Sequence, residues 1–374
     1  MMKMKRTIVV FILLMLIGTG SLLSAQEPDK EADLETLYQQ IDNAIDQFPQ
    51  YVAKRLGKIA DTRKKLLHEN DIEKKFALAE QLFELYKPYK NDSALCFANL
   101  CVDLADSLQR KDKMGLYLSL MAHQCSVAGQ YVESLNLLKK VDKQALGRDE
   151  LTEYYAAWMH VCGEIGSYTQ LLNVREKYFN LQDCYRDSML AVAEEGSEEY
   201  LHLKMDVLCA RRQYQDALNI SDSWLAKVAD GTHESAYACF YRSVVYNQLG
   251  NSYQSRYWLG KSGLDDIKCA VFDQASLFML AEQLSADGDY DRAYNYVRFS
   301  ETCNTTFLPR LRNYQLRYVA NVLEAVHKNS EARYSRLLTI ACVGGALLLI
   351  VIVWLLFRIA RARNRSAEQA NPSH

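Results

Sequence analysis

Seven histidines, at 68, 123, 160, 202, 233, 327 and 374, are the residues best suited to acid–base or metal chemistry here. No two of them stand in an H-E-x-x-H arrangement, which would put both rings on one helix face around a zinc ion. The chain also lacks G-x-G-x-x-G, the phosphate-cradling G-x-x-x-x-G-K-[ST], and the G-x-S-x-G turn that exposes a nucleophilic serine. The acidic pairs Glu194-Glu195 and Glu198-Glu199 flank Gly196 and read as a solvated loop. Nine of the ten cysteines lie outside the C-terminal apolar run, an odd number with no C-x-x-C, and most fall on apolar helix faces. They read as small buried hydrophobes in preference to a disulfide framework. No catalytic, cofactor or metal site is expected.

The aromatic residues are the remaining candidates. Tyrosine, at 24 against 12 phenylalanines, is in excess. Tyr154, Tyr155, Trp158, Tyr237, Tyr241, Tyr257, Trp258 and Tyr294 are the candidate groove residues, able to give a flat apolar face and a hydroxyl to a peptide or glycan. The same rings would serve equally to pack one helix against the next, since many lie on packing stripes.

The elements that position them are helical. Only five prolines occur, none between Pro88 and Pro309, so a turn-rich all-β fold is excluded. Apolar residues fall at Met114, Tyr117, Leu118, Met121 and Cys125, and again at Tyr155, Trp158, Met159, Cys162 and Ile165, the spacing of one buried helix face. A motif recurs where these runs break. It reads Gly129-Gln-Tyr131-x-x-Ser134, Gly166-Ser-Tyr168-x-x-Leu171, Arg212-Gln-Tyr214-x-x-Ala217, Gly250-Asn-Ser-Tyr253 and Gly288-Asp-Tyr290-x-x-Ala293. The tyrosines step by 37, 46, 39 and 37 residues. Over residues 75–308 this resembles the tetratricopeptide repeat (TPR) family, which implies an all-α solenoid of stacked helix pairs.

Both ends carry membrane features. Lys3, Lys5 and Arg6 precede the apolar run Ile8 to Ile17, and Ala25 is a plausible cleavage residue, so residues 1–25 read as a signal peptide. Leu337 to Phe357 is an uncharged run of 21 residues, enough to cross a roughly 30 Å hydrocarbon core. Arg358, Arg361, Arg363 and Arg365 follow, and place residues 358–374 as a short basic cytoplasmic tail. Residues 26–336 are then expected in the periplasm of a bacterial cell, anchored in the inner membrane. They carry a net charge of about −8, which argues against nucleic acid as a partner. Within the run, Ala341 and Gly345 form a small-x-x-x-small pair, a candidate contact face for a homodimer.

Two stripes flank the repeats. Leu34, Leu37, Tyr38, Ile41 and Ile45 form one, and Tyr51 to Leu66 another beyond Pro49. They predict a helix pair capping the array over residues 26–74. Arg310 to Val343 contains neither glycine nor proline, which predicts a juxtamembrane helix over 309–336 running unbroken into the span.

The order of these parts resembles bacterial membrane-anchored regulators with exported TPR-like sensor regions. The runs Leu37-Tyr38-x-x-Ile41-Asp42-x-Ala44-Ile45 and Tyr86-Lys-Pro-Tyr89-Lys-Asn-Asp92 are similar to those of one such family of unassigned function. That resemblance implies a cytoplasmic coiled coil and a DNA-binding-like output region after the span. This chain departs from it, with 17 residues after Phe357. The expectation is a non-enzymatic, membrane-anchored binding module, a sensor or regulatory subunit with a protein or peptide partner. An envelope scaffold, or a shortened relative of a regulator, is the alternative.

Overall fold

A computed structural model describes residues 28–273 and 275–369. The expected signal peptide lies outside them. Every described element is helical. The order is α1 (Pro28–His68), α2 (Ile72–Tyr86), α3 (Asn91–Ser107), α4 (Lys111–Val127), α5 (Tyr131–Lys140), α6 (Arg148–Tyr168) and α7 (Leu172–Val192). It continues with α8 (Glu198–Ala210), α9 (Tyr214–Leu225), α10 (His233–Gln248), α11 (Ser252–Lys268), α12 (Ser276–Asp287), α13 (Tyr290–Phe307) and α14 (Arg310–Gln369). The described residues form two compact units, one ending at Ala320 and the other beginning at Asn321.

In the first unit, α2 to α13 are antiparallel helix pairs, each packed on the next. The recurring turn motif is a helix stop followed by a helix start. At four motif turns a residue with positive φ ends one helix, at Gly129 (78°), Arg212 (59°), Gly250 (72°) and Gly288 (92°). There its own N–H and that of the next residue fold back onto the closing turn, as when Gly129 donates to the Ser126 carbonyl at 2.9 Å and Gln130 to the Cys125 carbonyl at 2.8 Å. The following helix opens at once, with Asn251 and Asp289 side chains capping α11 and α13. The small residue three positions on is buried each time, at Ser134, Ala217, Ser255 and Ala293.

Two copies of the motif sit differently from the sequence expectation. Gly166 lies inside α6, which runs on to Tyr168, and α7 opens four residues later. In the fourth copy α11 opens at Ser252, so Tyr253 stands one position off the register of Tyr131 and Tyr214.

Arg212 holds a left-handed backbone that costs a side chain about 1–2 kcal/mol. Arg212→Gly is therefore expected to stabilise the unit by about 0.5–1 kcal/mol, after the glycine's larger unfolded-state entropy is subtracted. A rise in the thermal midpoint checks this, and a fall would show that Arg212 has contacts of greater worth.

Helix α1 differs most from expectation. It is one helix of 41 residues with Pro49 inside it, where the sequence predicts a pair. Proline removes a single N–H and the helix continues, because both halves are held by packing on their neighbours. Its second half packs on α2 and its first half on α11, so it touches both ends of the array. Leu34, Leu37, Tyr38, Ile41, Ala44, Phe48 and Ile59 are its buried face.

The second unit is the remainder of α14. As expected, this helix has no break between Arg310 and the apolar run. Its segment Tyr334–Ala362 is 29 residues, with an 18-residue stretch of mean hydropathy 2.9, long and apolar enough to cross a membrane, and that stretch is not buried.

Candidate functional site

The first helices of successive pairs carry titratable residues at one-face spacing. These are Glu153 and His160 on α6, then Glu198, Glu199, His202 and Asp206 on α8, then His233, Tyr237 and Tyr241 on α10. They connect from pair to pair. The His123 ring on α4 lies 4.2 Å from that of His160. His202 stacks on Tyr241 at 5.2 Å, and Tyr241 in turn on Trp224 at 5.7 Å. His233 Nδ1 is 2.8 Å from Asp266.

Lys87, just past the end of α2, is the cationic centre of this array. Burial alone would lower its pKa, but Glu153, Glu84, Glu198 and Glu199 outweigh burial and raise it. Burial pushes Glu198 up to about 7, reinforced by Glu199 and Glu234. Asp206 also rises to about 7 through burial, against the pull of Arg186. Burial brings His202 down to about 4 and holds His123 well below its ordinary value. This face can exchange protons near neutral pH and can offer mixed charge to a polar partner. Among the described residues no group of three or more His, Cys, Asp and Glu is placed to hold a metal ion.

A second concavity lies between α1 and α11. It is an open cleft of about 480 Å³, with Thr36, Leu37 and Gln40 on one wall and Tyr253, Tyr257 and Trp258 on the other. The Trp258 indole donates to Gln254 at 2.9 Å and carries the Arg242 guanidinium over its ring at 4.7 Å.

The eight aromatic candidates occupy several places. Tyr154 and Trp158 pack between α6 and α7, where Trp158 stacks on Tyr185 at 5.0 Å. Tyr155 is buried beside Met189 and Leu203, with Lys143 over its ring at 5.1 Å. Tyr241 packs in the α8–α10 core, and Tyr237 is exposed above His233. Tyr257 and Trp258 come together at the α1–α11 cleft. Tyr294 is half-buried on α13. On the apolar segment of α14, Ala341 is exposed, and nothing lies within 4 Å of where a Cβ on Gly345 would sit.

The His123–His160 pair belongs to no catalytic sequence motif. A positional signal was present, because His123 and His160 each stand six residues before a motif glycine.

Stacked pairs with these turns are the architecture of helical-repeat interaction domains. Residues 45–318 match the family described as the SusR N-terminal TPR domain. The chain belongs to this family. No curated protein matches it. The matched segment takes in all the helix pairs and the second half of α1, while α1 before Ile45 and the apolar part of α14 lie outside it. In this TPR domain the paired helices carry both the proton-exchanging face and one wall of the cleft.

Proposed function

We propose that this TPR-domain protein is a non-enzymatic, membrane-anchored binding module. Its repeats take a protein or peptide partner outside the cytoplasm, and it acts as a sensor or regulatory subunit. The observation that carries the reading is the continuity of chain from a TPR domain into an apolar, unburied helix of membrane-spanning length. TPR domains generally serve protein–protein interaction. Arg358 and Arg361 at one end of the span support a cytoplasmic C-terminus.

Anchoring has a direct test. A lysine at the centre of a spanning helix costs about 2.5–3.5 kcal/mol, so Leu347→Lys with Val351→Lys should release the protein from carbonate-washed membranes. Retention of the double variant would refute the anchor. External protease on spheroplasts should digest the repeats and spare a tag on the C-terminus; the reverse pattern inverts the orientation. Mild crosslinking of the full-length protein in its own membranes, followed by mass spectrometry, tests the role. A membrane or cytoplasmic regulator among the captured proteins supports the sensor reading. Envelope assembly proteins alone would favour a scaffold.

A further inference from the structure

We propose that the first half of α1 is a releasable latch that holds the two ends of the repeat array together, with Pro49 as its hinge. Conformational release of this kind goes beyond the binding role proposed above.

The two halves of α1 serve different ends of the array. After Pro49, Ile59 is buried in a core built from α2, α3 and α4. Before Pro49, a series of side-chain contacts reaches the other end. Gly260 on α11 leaves room for Leu37 and Ile41, and a Cβ there would meet Leu37 Cδ2 at 2.8 Å. Phe48 sits between Phe272 at 5.2 Å and Phe299 at 4.8 Å. Tyr296 donates its hydroxyl to the Tyr38 carbonyl at 3.4 Å. Arg292 grips Glu35 through both carboxylate oxygens, at 2.9 and 3.1 Å.

The junction between the halves is the weak point of the helix. Pro49 has no N–H to give the Ile45 carbonyl, so one rung of the ladder is missing there. Helices bend at such positions, where the missing rung removes one restraint on the backbone.

The docked face also borders an open cleft. The cleft of about 480 Å³ runs along the α1–α11 seam, and Tyr38 buries its hydroxyl with no acceptor for its proton. Surface along the seam that stays open to solvent gives no burial energy, and an unmet hydrogen bond adds none, so both lower the free energy needed to separate the two surfaces. Once the latch lifts, few links remain between the ends. Arg55 spans them, the Tyr89 ring meets Phe272 edge-on at 4.8 Å, and the Phe272 and Asp273 N–H groups donate to the Pro88 carbonyl at 2.7 and 3.2 Å.

Hydrogen exchange by mass spectrometry on the full chain in detergent micelles tests the latch. In the wild type at low denaturant, amides of residues 32–48 should exchange together, at least tenfold faster than those of α4 to α10. Ile41→Ala, which removes a fully buried contact of the latch, should speed 32–48 a further tenfold or more and leave α4 to α10 unchanged. Gly260→Ala, a wedge in the same seam, should act in the same direction. Gly263→Ala, whose added carbon would meet Leu277 on α12 at 2.9 Å, should disturb α11 and α12 without selective release of 32–48. Acceleration of α4 to α10 together with 32–48 in Ile41→Ala would make α1 an integral part of the core and overturn the proposal. Equal exchange of 32–48 and α4 to α10 in the wild type would also overturn it, as would no acceleration in either seam variant.

Discussion

Arg55→Met is expected to lower the stability of the repeat unit by about 2–4 kcal/mol, the range for breaking charged hydrogen bonds in a partly buried network. The guanidinium donates at 2.7 Å to the Leu85 carbonyl and at 2.6 Å to the Cys269 carbonyl. These carbonyls lie at the C-terminal ends of α2 and α11, where the last turn leaves acceptors without helical donors and the helix dipole favours a cation. One planar fork therefore meets two helix ends that are 184 residues apart in the chain. Methionine fills similar space but gives no donor. Arg55→Lys should recover less than half of the loss, because a single ammonium cannot reach both carbonyls in the geometry of a fork. Denaturant unfolding followed by tryptophan fluorescence reads the effect. A loss below about 0.5 kcal/mol would show that water replaces the guanidinium without cost.

Asp206→Asn is expected to raise stability at pH 8, in the direction opposite to most substitutions at half-buried polar sites. Burial lifts this carboxyl from its ordinary value near 3.8 to about 7. Between those limits the native state binds more protons than the unfolded chain, so stability falls as pH rises through the window. A shift of about three pKa units corresponds to an upper bound of about 4 kcal/mol, and relaxation around the carboxylate with the pull of Arg186 reduces this to about 1–2 kcal/mol. The gain should be full at pH 8 and vanish near pH 4. His202 opposes this trend in the wild type. Its folded value of about 4 lies below 6.5, so its contribution is present above pH 6.5 and lost as the pH falls toward 4. Comparing the two proteins across pH 4–8 cancels the histidine and isolates Asp206. A variant with the same pH profile as the wild type would show that the carboxylate is already compensated.

Local chemistry was the legible part of this fold. Gly129, Gly250 and Gly288 mark helix ends because a left-handed backbone is cheap there, and that preference is written in single residues. Arg212 was readable only because its neighbours repeat the pattern of the glycine turns. The apolar run of α14 was readable from its length alone. Contacts across the array were not. Nothing near Leu37 indicates that its partner is Gly260, and nothing near Arg55 names the Cys269 carbonyl. Pro49 misled for a related reason: proline's local cost is fixed, but the packing that outweighs it comes from distant helices. The aromatic residues show the same limit. Periodicity puts Tyr155 and Tyr257 on helix faces alike, yet only the arrangement of neighbouring helices buries one and leaves the other lining a cleft.

The attachment of α1 to α11 and α13 also sets the order in which the molecule can be built. Ordinary repeat arrays fold through contacts between neighbours and can begin anywhere along the chain. Here Leu34, Leu37, Tyr38, Ile41 and Phe48 are synthesised more than 200 residues ahead of the surfaces on α11 and α13 that cover them. At about 5–20 residues per second, that apolar stripe waits on the order of ten seconds or more for its partners. Closure of so large a loop raises the contact order and slows the final step relative to the pairing of adjacent helices. Helix α1 is thus made before α2 to α13 but placed after them, and its apolar stripe stays uncovered until α11 and α13 are in position.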